Sequence, residues 1–136
     1  MFKTTTLLFL PLFFLSCSDD ALVTIHNKKI ADENIPCIHL VVFPPDENIS
    51  KIIEPLYSFT NDCDFSLNIL KKSGITCNST HNIEKKALTN FPTSYLNMTL
   101  KKNGKLVYSY YIDLEKDVVK SDLERGFKRL ERDLKL

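Results

Sequence analysis

Asn103-Gly104 lies between two runs rich in β-branched, aromatic and aliphatic residues, within the stretch from Phe91 to Leu114. This dipeptide is the strongest short-range signal for a two-residue hairpin, because a type I′ turn needs φ > 0 at both central positions. Counting outward from the turn, the sequence predicts Leu100 opposite Val107, Met98 opposite Ser109 and Leu96 opposite Tyr111. These six share one face. Tyr95, Asn97, Thr99 and Lys101 are expected on the other, against Ile112, Tyr110, Tyr108 and Leu106. A lone hairpin is marginal in water, so other elements must cover it.

The 136 residues suffice for one domain with a core. Lysine plus arginine (18) nearly balances aspartate plus glutamate (17), and no basic block stands out. That argues against nucleic acid, whose phosphates demand a concentrated cationic footprint.

At the N-terminus, Lys3 precedes the apolar run Leu7 to Leu15, which is too short to span a bilayer as a mature helix. This is the layout of a secretory signal peptide. Its end, Phe14-Leu15-Ser16-Cys17, resembles the lipobox of bacterial lipoproteins. That resemblance implies cleavage before Cys17, acylation of Cys17 and a membrane anchor through the N-terminal lipid. Ser16 fits the small residue required before the cut, whereas Phe14 departs from the usual leucine. Ser18 rather than aspartate follows the cysteine, which leans toward the outer membrane. Ordinary signal cleavage after Ser18 is the alternative. Both readings export the chain to the cell envelope, facing the periplasm or the exterior.

Along the mature chain, Ala21 to His26 alternates weakly, as an edge strand would, and Asn27 to Asn34 reads as a loop. Ile35 to Phe43 is a nearly continuous apolar run, predicted to be a central strand buried on both faces. Pro44-Pro45 ends it, and Asp46-Glu47-Asn48 supplies acidic and capping groups for a helix start. Ile49, Ile52, Ile53, Leu56 and Tyr57 form one helical face, with a kink expected at Pro55. Phe65 to Leu70 is a second strand, Lys71 to Gly74 a turn and Asn82 to Leu88 a short helix. Ser121 and Glu124 have capping-box spacing, and Leu123, Phe127, Leu130 and Leu134 form the stripe of a terminal helix. Gly126 borders the stripe, which fits either close packing or a mere weak spot in the helix costing about 1 kcal/mol.

This order (strand, kinked helix, strand, short helix, hairpin, capped helix) resembles the thioredoxin fold over residues 35 to 136. Lys51-Ile-Ile-Glu-Pro55-Leu is similar to the helix after that family's redox motif. Phe91-Pro92-Thr93 is similar to its cis-proline loop, and Lys102-Asn-Gly-Lys105 to its hairpin turn. The resemblance implies an α/β domain with a central mixed sheet and a cis Phe91–Pro92 bond. It also implies a peptide-binding surface formed by Phe91, Pro92, Glu47 and Ser50. Where thioredoxins carry Cys-x-x-Cys, this chain has Glu47-Asn48-Ile49-Ser50. Thiol–disulfide exchange needs a low-pKa thiolate and a resolving thiol there, so the family's redox activity does not carry over.

Three cysteines remain after Cys17, an odd count suggesting one bridge and one free thiol. If the strands on either side of the kinked helix are parallel neighbours, their N-terminal ends bring Cys37 and Cys63 within bridging distance and leave Cys77 apart. Cys63–Cys77 is the alternative, requiring Ile75 to His81 to fold back. Cys37-x-His39 and Cys77-x-x-x-His81 offer soft ligands that suit copper or zinc. No serine–histidine–aspartate set, carboxylate pair or phosphate-binding glycine loop can be made out, and no cofactor is implied.

The organisation expected is therefore a signal peptide (1–16), a tether with a possible edge strand (17–34) and a thioredoxin-like domain (35–136). The function expected is binding of an envelope protein or peptide without redox catalysis. The competing expectation is thiol or metal handling through Cys77 or the Cys/His pairs.

Overall fold

The computed structural model describes residues 20–76 and 92–136. The elements follow as β1 (Leu22–Ile25), α1 (Lys28–Ala31), β2 (His39–Val42), α2 (Glu47–Ile53), β3 (Phe65–Lys72), β4 (Ser94–Lys102), β5 (Lys105–Leu114) and α3 (Lys120–Leu134). The five strands form one mixed sheet in the order β1-β5-β4-β3-β2. β2 and β3 run parallel, and the other three pairs antiparallel. This is an α/β fold with helices packed on one face of the sheet.

The hairpin turns at Asn103 (φ 49°) and Gly104 (φ 78°), as the sequence requires. Its register differs from the simple count. Lys101 pairs with Leu106, but Leu100 then pairs with Tyr108, because a β-bulge makes Val107 an extra residue. A one-residue slip moves every later side chain to the other face. Leu96, Met98 and Leu100 consequently share a face with Ile112, Tyr110 and Tyr108, all buried. Ser109 and Tyr111 turn to the opposite face. The bulged Val107 carbonyl accepts from the backbone N–H groups of His26 (2.8 Å) and Asn27 (3.3 Å), so the segment just after β1 supplies the partner that the hairpin lacks.

β1 is an edge strand of the sheet, as the alternation of Ala21 to His26 suggests, and pairs along β5. The segment expected as a loop contains α1, whose first turn is capped where Asn27 Oδ1 accepts from the Ile30 N–H at 3.2 Å. α2 starts at the Asp46 cap, which accepts from Asn48 N–H (2.9 Å) and Ile49 N–H (3.4 Å). Pro55 does not kink a continuing helix. It sits in a 3-10 turn, Glu54–Leu56, that ends it, since proline has no N–H to donate.

α3 buries Leu123, Phe127, Leu130 and Leu134, the stripe read from sequence. It begins two residues earlier than the Ser121 box implies: Val119 is the N-cap, and Asp122 Oδ2 accepts from the Val119 N–H at 3.0 Å. Gly126 lies against the sheet. A Cβ there would meet Tyr110 Cε1 at 3.0 Å and Met98 at 3.1 Å. Tyr108 donates to Asp133 Oδ2 (3.0 Å), which also accepts from Arg129 Nε (2.8 Å), tying β5 to the end of α3.

The strand expected at the sheet's centre is at its edge. Among the described residues β2 pairs with β3 alone, and all four of its residues are half-buried. The apolar run misled because Ile35 and Ile38, its buried members, precede the strand. Parallel pairing of β2 with β3 does hold, and with it the Cys37–Cys63 disulfide, whose Cα atoms are 5.9 Å apart. The bond observed as cis is Phe43–Pro44. Phe91, and so the geometry of Phe91–Pro92, lies outside the described residues, as do Cys77, His81 and the helix expected at 82–88.

Replacing Cys37 and Cys63 together by alanine should lower stability by roughly 3 kcal/mol in the chain-entropy treatment of a loop this long; a urea midpoint unchanged from wild type would contradict it. Gly126→Ala should also destabilise, although alanine is the better helix former by about 1 kcal/mol, because overpacking a filled core costs about 1–3 kcal/mol. Urea unfolding checks the sign.

Candidate functional site

A cleft runs along the outer edge of β2. Its volume is about 1130 Å³. Leu40 and Val42 line it from the strand, Glu47, Ser50 and Lys51 from the outer side of α2, and Tyr57 and Phe59 from the returning chain. Each wall follows from local sequence. Pro44-Pro45 stops the strand, Asp46 starts the helix away from it, and Pro55 ends that helix early enough for residues 57–61 to return beside β2.

The aromatic wall is anchored in the core. The Tyr57 and Phe59 ring centroids are 5.3 Å apart, and they lie 6.4 Å and 6.1 Å from that of buried Phe127 on α3. Such tilted and edge-on pairs add about 0.5–1.5 kcal/mol each beyond area burial. The wall is therefore held in place before any ligand arrives.

The backbone of β2 has a definite polarity. The Phe43 N–H donates inward to the Ile69 carbonyl (3.0 Å), whereas the Ile38 carbonyl accepts from the Thr60 N–H (2.9 Å) on the outer side. Backbone groups alternate along a strand, so those of Leu40 and Val42 point outward in line with Ile38. Among the described residues no backbone group bonds them from that side. His39 Nδ1 is 3.3 Å from the Thr60 carbonyl, which fixes the start of the edge.

Charge at the rim is mixed. Asp46 Oδ2 is 2.7 Å from Lys71 Nζ. The Lys71 hydrogen bond, with the Asn48 and Ile49 N–H groups, holds its carboxyl below the usual range. Glu47 pairs with Lys51 at 3.3 Å, but both are exposed and such a pair contributes little.

The sequence-derived binding residues separate here. Glu47 and Ser50 line the cleft. Pro92 does not; it is half-buried before β4, next to Thr93, whose N–H donates to the Leu114 carbonyl at 2.9 Å. Leu40, Val42 and Phe59 were missed as site residues. The signal for them was the pair Tyr57-Ser-Phe59 directly after the helix-ending proline. The Cys37/His39 ligand pair is not formed, because the Cys37 sulfur is bonded to Cys63. Among the described residues no group of three or more His, Cys, Asp or Glu side chains could hold a metal ion.

No family model, curated protein or solved structure matches the chain.

Because the folded pKa of Asp46 is depressed, its pairing stabilises above the unfolded value of about 4 and is lost as pH falls through the folded pKa. Asp46→Asn keeps an equally good cap but removes the charge. Its acid-unfolding curve should be shallower below about pH 4 than that of wild type, with little difference in cap strength.

Proposed function

We propose that the protein is an exported, lipid-anchored component of the bacterial cell envelope whose domain binds an extended polypeptide segment at the edge of β2. The observation that carries the binding reading is the outward backbone of Leu40 and Val42 above a cleft with preset aromatic and apolar walls. An extended segment added there gains main-chain hydrogen bonds from the edge, while its alternate side chains enter the cleft, the general mode of strand addition. Apolar side chains suit Leu40, Val42, Tyr57 and Phe59. A cationic group suits Glu47 and Glu54 on the rim.

The export and anchoring reading rests on the signal-like N-terminus ending in Ser16-Cys17. The Cys37–Cys63 bridge agrees with an oxidising compartment. The thioredoxin likeness is proposed as one of element order: strand, helix and parallel strand, then hairpin and terminal helix. The edge place of β2 counts against it, since the apolar run of Ile35 to Phe43 implied a central strand there.

Two outcomes follow. Cys17→Ala should release the protein from the membrane fraction or leave it as unprocessed precursor, scored by fractionation and intact mass; unchanged processing and partition would remove the anchor. Val42→Pro deletes an outward N–H that the sheet does not use, and proline is tolerated at such edge positions. Decapeptides selected from a random library on wild-type protein should lose about two- to tenfold in affinity for Val42→Pro, the value of one charge-free backbone bond. Selected peptides that bind both proteins equally would place binding elsewhere.

A further inference from the structure

The face of the sheet away from the helices carries at one end a row that is apolar or aromatic except for Asn97. The register places Leu70, Asn97, Tyr111 and Leu22 side by side across β3, β4, β5 and β1. Phe43 extends the row beyond β2: its N–H completes the ladder to Ile69, and strand alternation sets it beside Leu70. Phe43 is 70% exposed and Leu22 66%, the two most exposed large apolar residues described. Four strand spacings separate them, about 19 Å. Between them the Tyr95 and Tyr111 rings lie 5.5 Å apart. The Tyr111 hydroxyl donates to Asp113 at 2.7 Å, which, with burial, pushes its pKa up to about 12 and keeps it protonated.

This is also the end of the sheet from which the chain leads back toward Cys17. Residues 18 to 21 alone separate Cys17 from Leu22, a span of at most about 17 Å when fully extended. An acylated Cys17 sits at the bilayer surface, so it confines Leu22 to that distance from the headgroups. Exposed aromatic and aliphatic side chains at such a position are what the membrane–water interface accommodates, apolar bodies inward and polar tips in the headgroup layer. The neighbouring charges Asp20, Lys72 and Asp113 are of both signs, which suits a zwitterionic surface better than a strongly anionic one.

We infer that the Phe43–Leu70–Tyr111–Leu22 end of the open sheet face rests in the headgroup layer of a zwitterionic phospholipid bilayer. The inference rests on the lipid-anchor reading. It sets the domain end-on to the membrane, with the Asn103-Gly104 turn pointing away. The β2 cleft, on the helix side of the sheet edge, stays open to the solvent.

The chain has no tryptophan, so single probes report without background. The test uses full-length, membrane-extracted protein carrying Phe43→Trp, Leu22→Trp or Leu106→Trp, returned to phosphatidylethanolamine–phosphatidylcholine vesicles with acyl chains brominated near the headgroup. Leu106 lies on the same sheet face at the far end. Intact mass first reports acylation of Cys17. With acylated protein, emission at positions 43 and 22 should shift to the blue and be quenched at least about twice as strongly as at 106, as for side chains at the acyl boundary. Quenching at all three positions would mean the sheet lies flat, and would overturn the end-on placement. No quenching at 43 and 22 in acylated protein would overturn the inference while leaving the anchor intact, and crosslinking would then show whether a second copy or an envelope protein covers that end. A protein without acyl chains would overturn the anchor and this inference with it.

Discussion

The β-bulge that inserts Val107 opposite the Leu100–Lys101 step sets the chemistry of both faces of the sheet. With it, one face of the hairpin is Leu96, Met98, Leu100, Tyr108, Tyr110 and Ile112, a continuous apolar surface. Without it, half of that surface would turn to solvent, and Ser109 and Tyr111 would face the helices. α3 packs on the surface so defined, closely enough that position 126 admits only a hydrogen as side chain without displacing Met98 or Tyr110. The bulge also presents a carbonyl to the His26 and Asn27 N–H groups just after β1. Register, helix docking and the N-terminal edge strand thus depend on one extra residue.

The features legible in the sequence were those encoded by local chemistry. Asn103-Gly104 specified its turn, the spacing of Leu123, Phe127, Leu130 and Leu134 specified a helix face, and Asp46 specified a helix start. The parallel pairing of β2 with β3 was legible through the helix between them, and the bridge followed from that pairing. What local chemistry does not encode is where an extra residue enters a ladder or which strand ends at an edge. The bulge leaves no mark in Lys105-Leu-Val-Tyr, and its stabilising contact comes from His26 and Asn27, far away in sequence. Ile35 to Phe43 reads as a buried strand because Ile35 and Ile38 are indeed buried, ahead of the strand rather than in it.

The site was legible in the same uneven way. Glu47 and Ser50 were singled out by resemblance and do line the cleft, but as rim residues on a helix. The surfaces that give the cleft its apolar character come from the two segments flanking that helix. Their convergence is a consequence of Pro45 and Pro55, which stand at the two ends of the short helix α2. Neither proline carries the chemistry; both decide where the chemistry meets.

The free edge of β2 is also short. Thr60 already occupies the Ile38 carbonyl at one end, and Pro44 closes the other, so Leu40 and Val42 are the outward-facing residues between them. A guest strand can make at most a few backbone bonds there, each contributing about 0.5–1.5 kcal/mol net. Contacts of that kind are brief, and their occupancy depends on how often guest and edge are brought together. Confinement to a surface, by raising effective concentration, turns such fleeting pairings into frequent ones without any added contact. The shortness of one strand would then make proximity, rather than affinity, the quantity on which recognition turns.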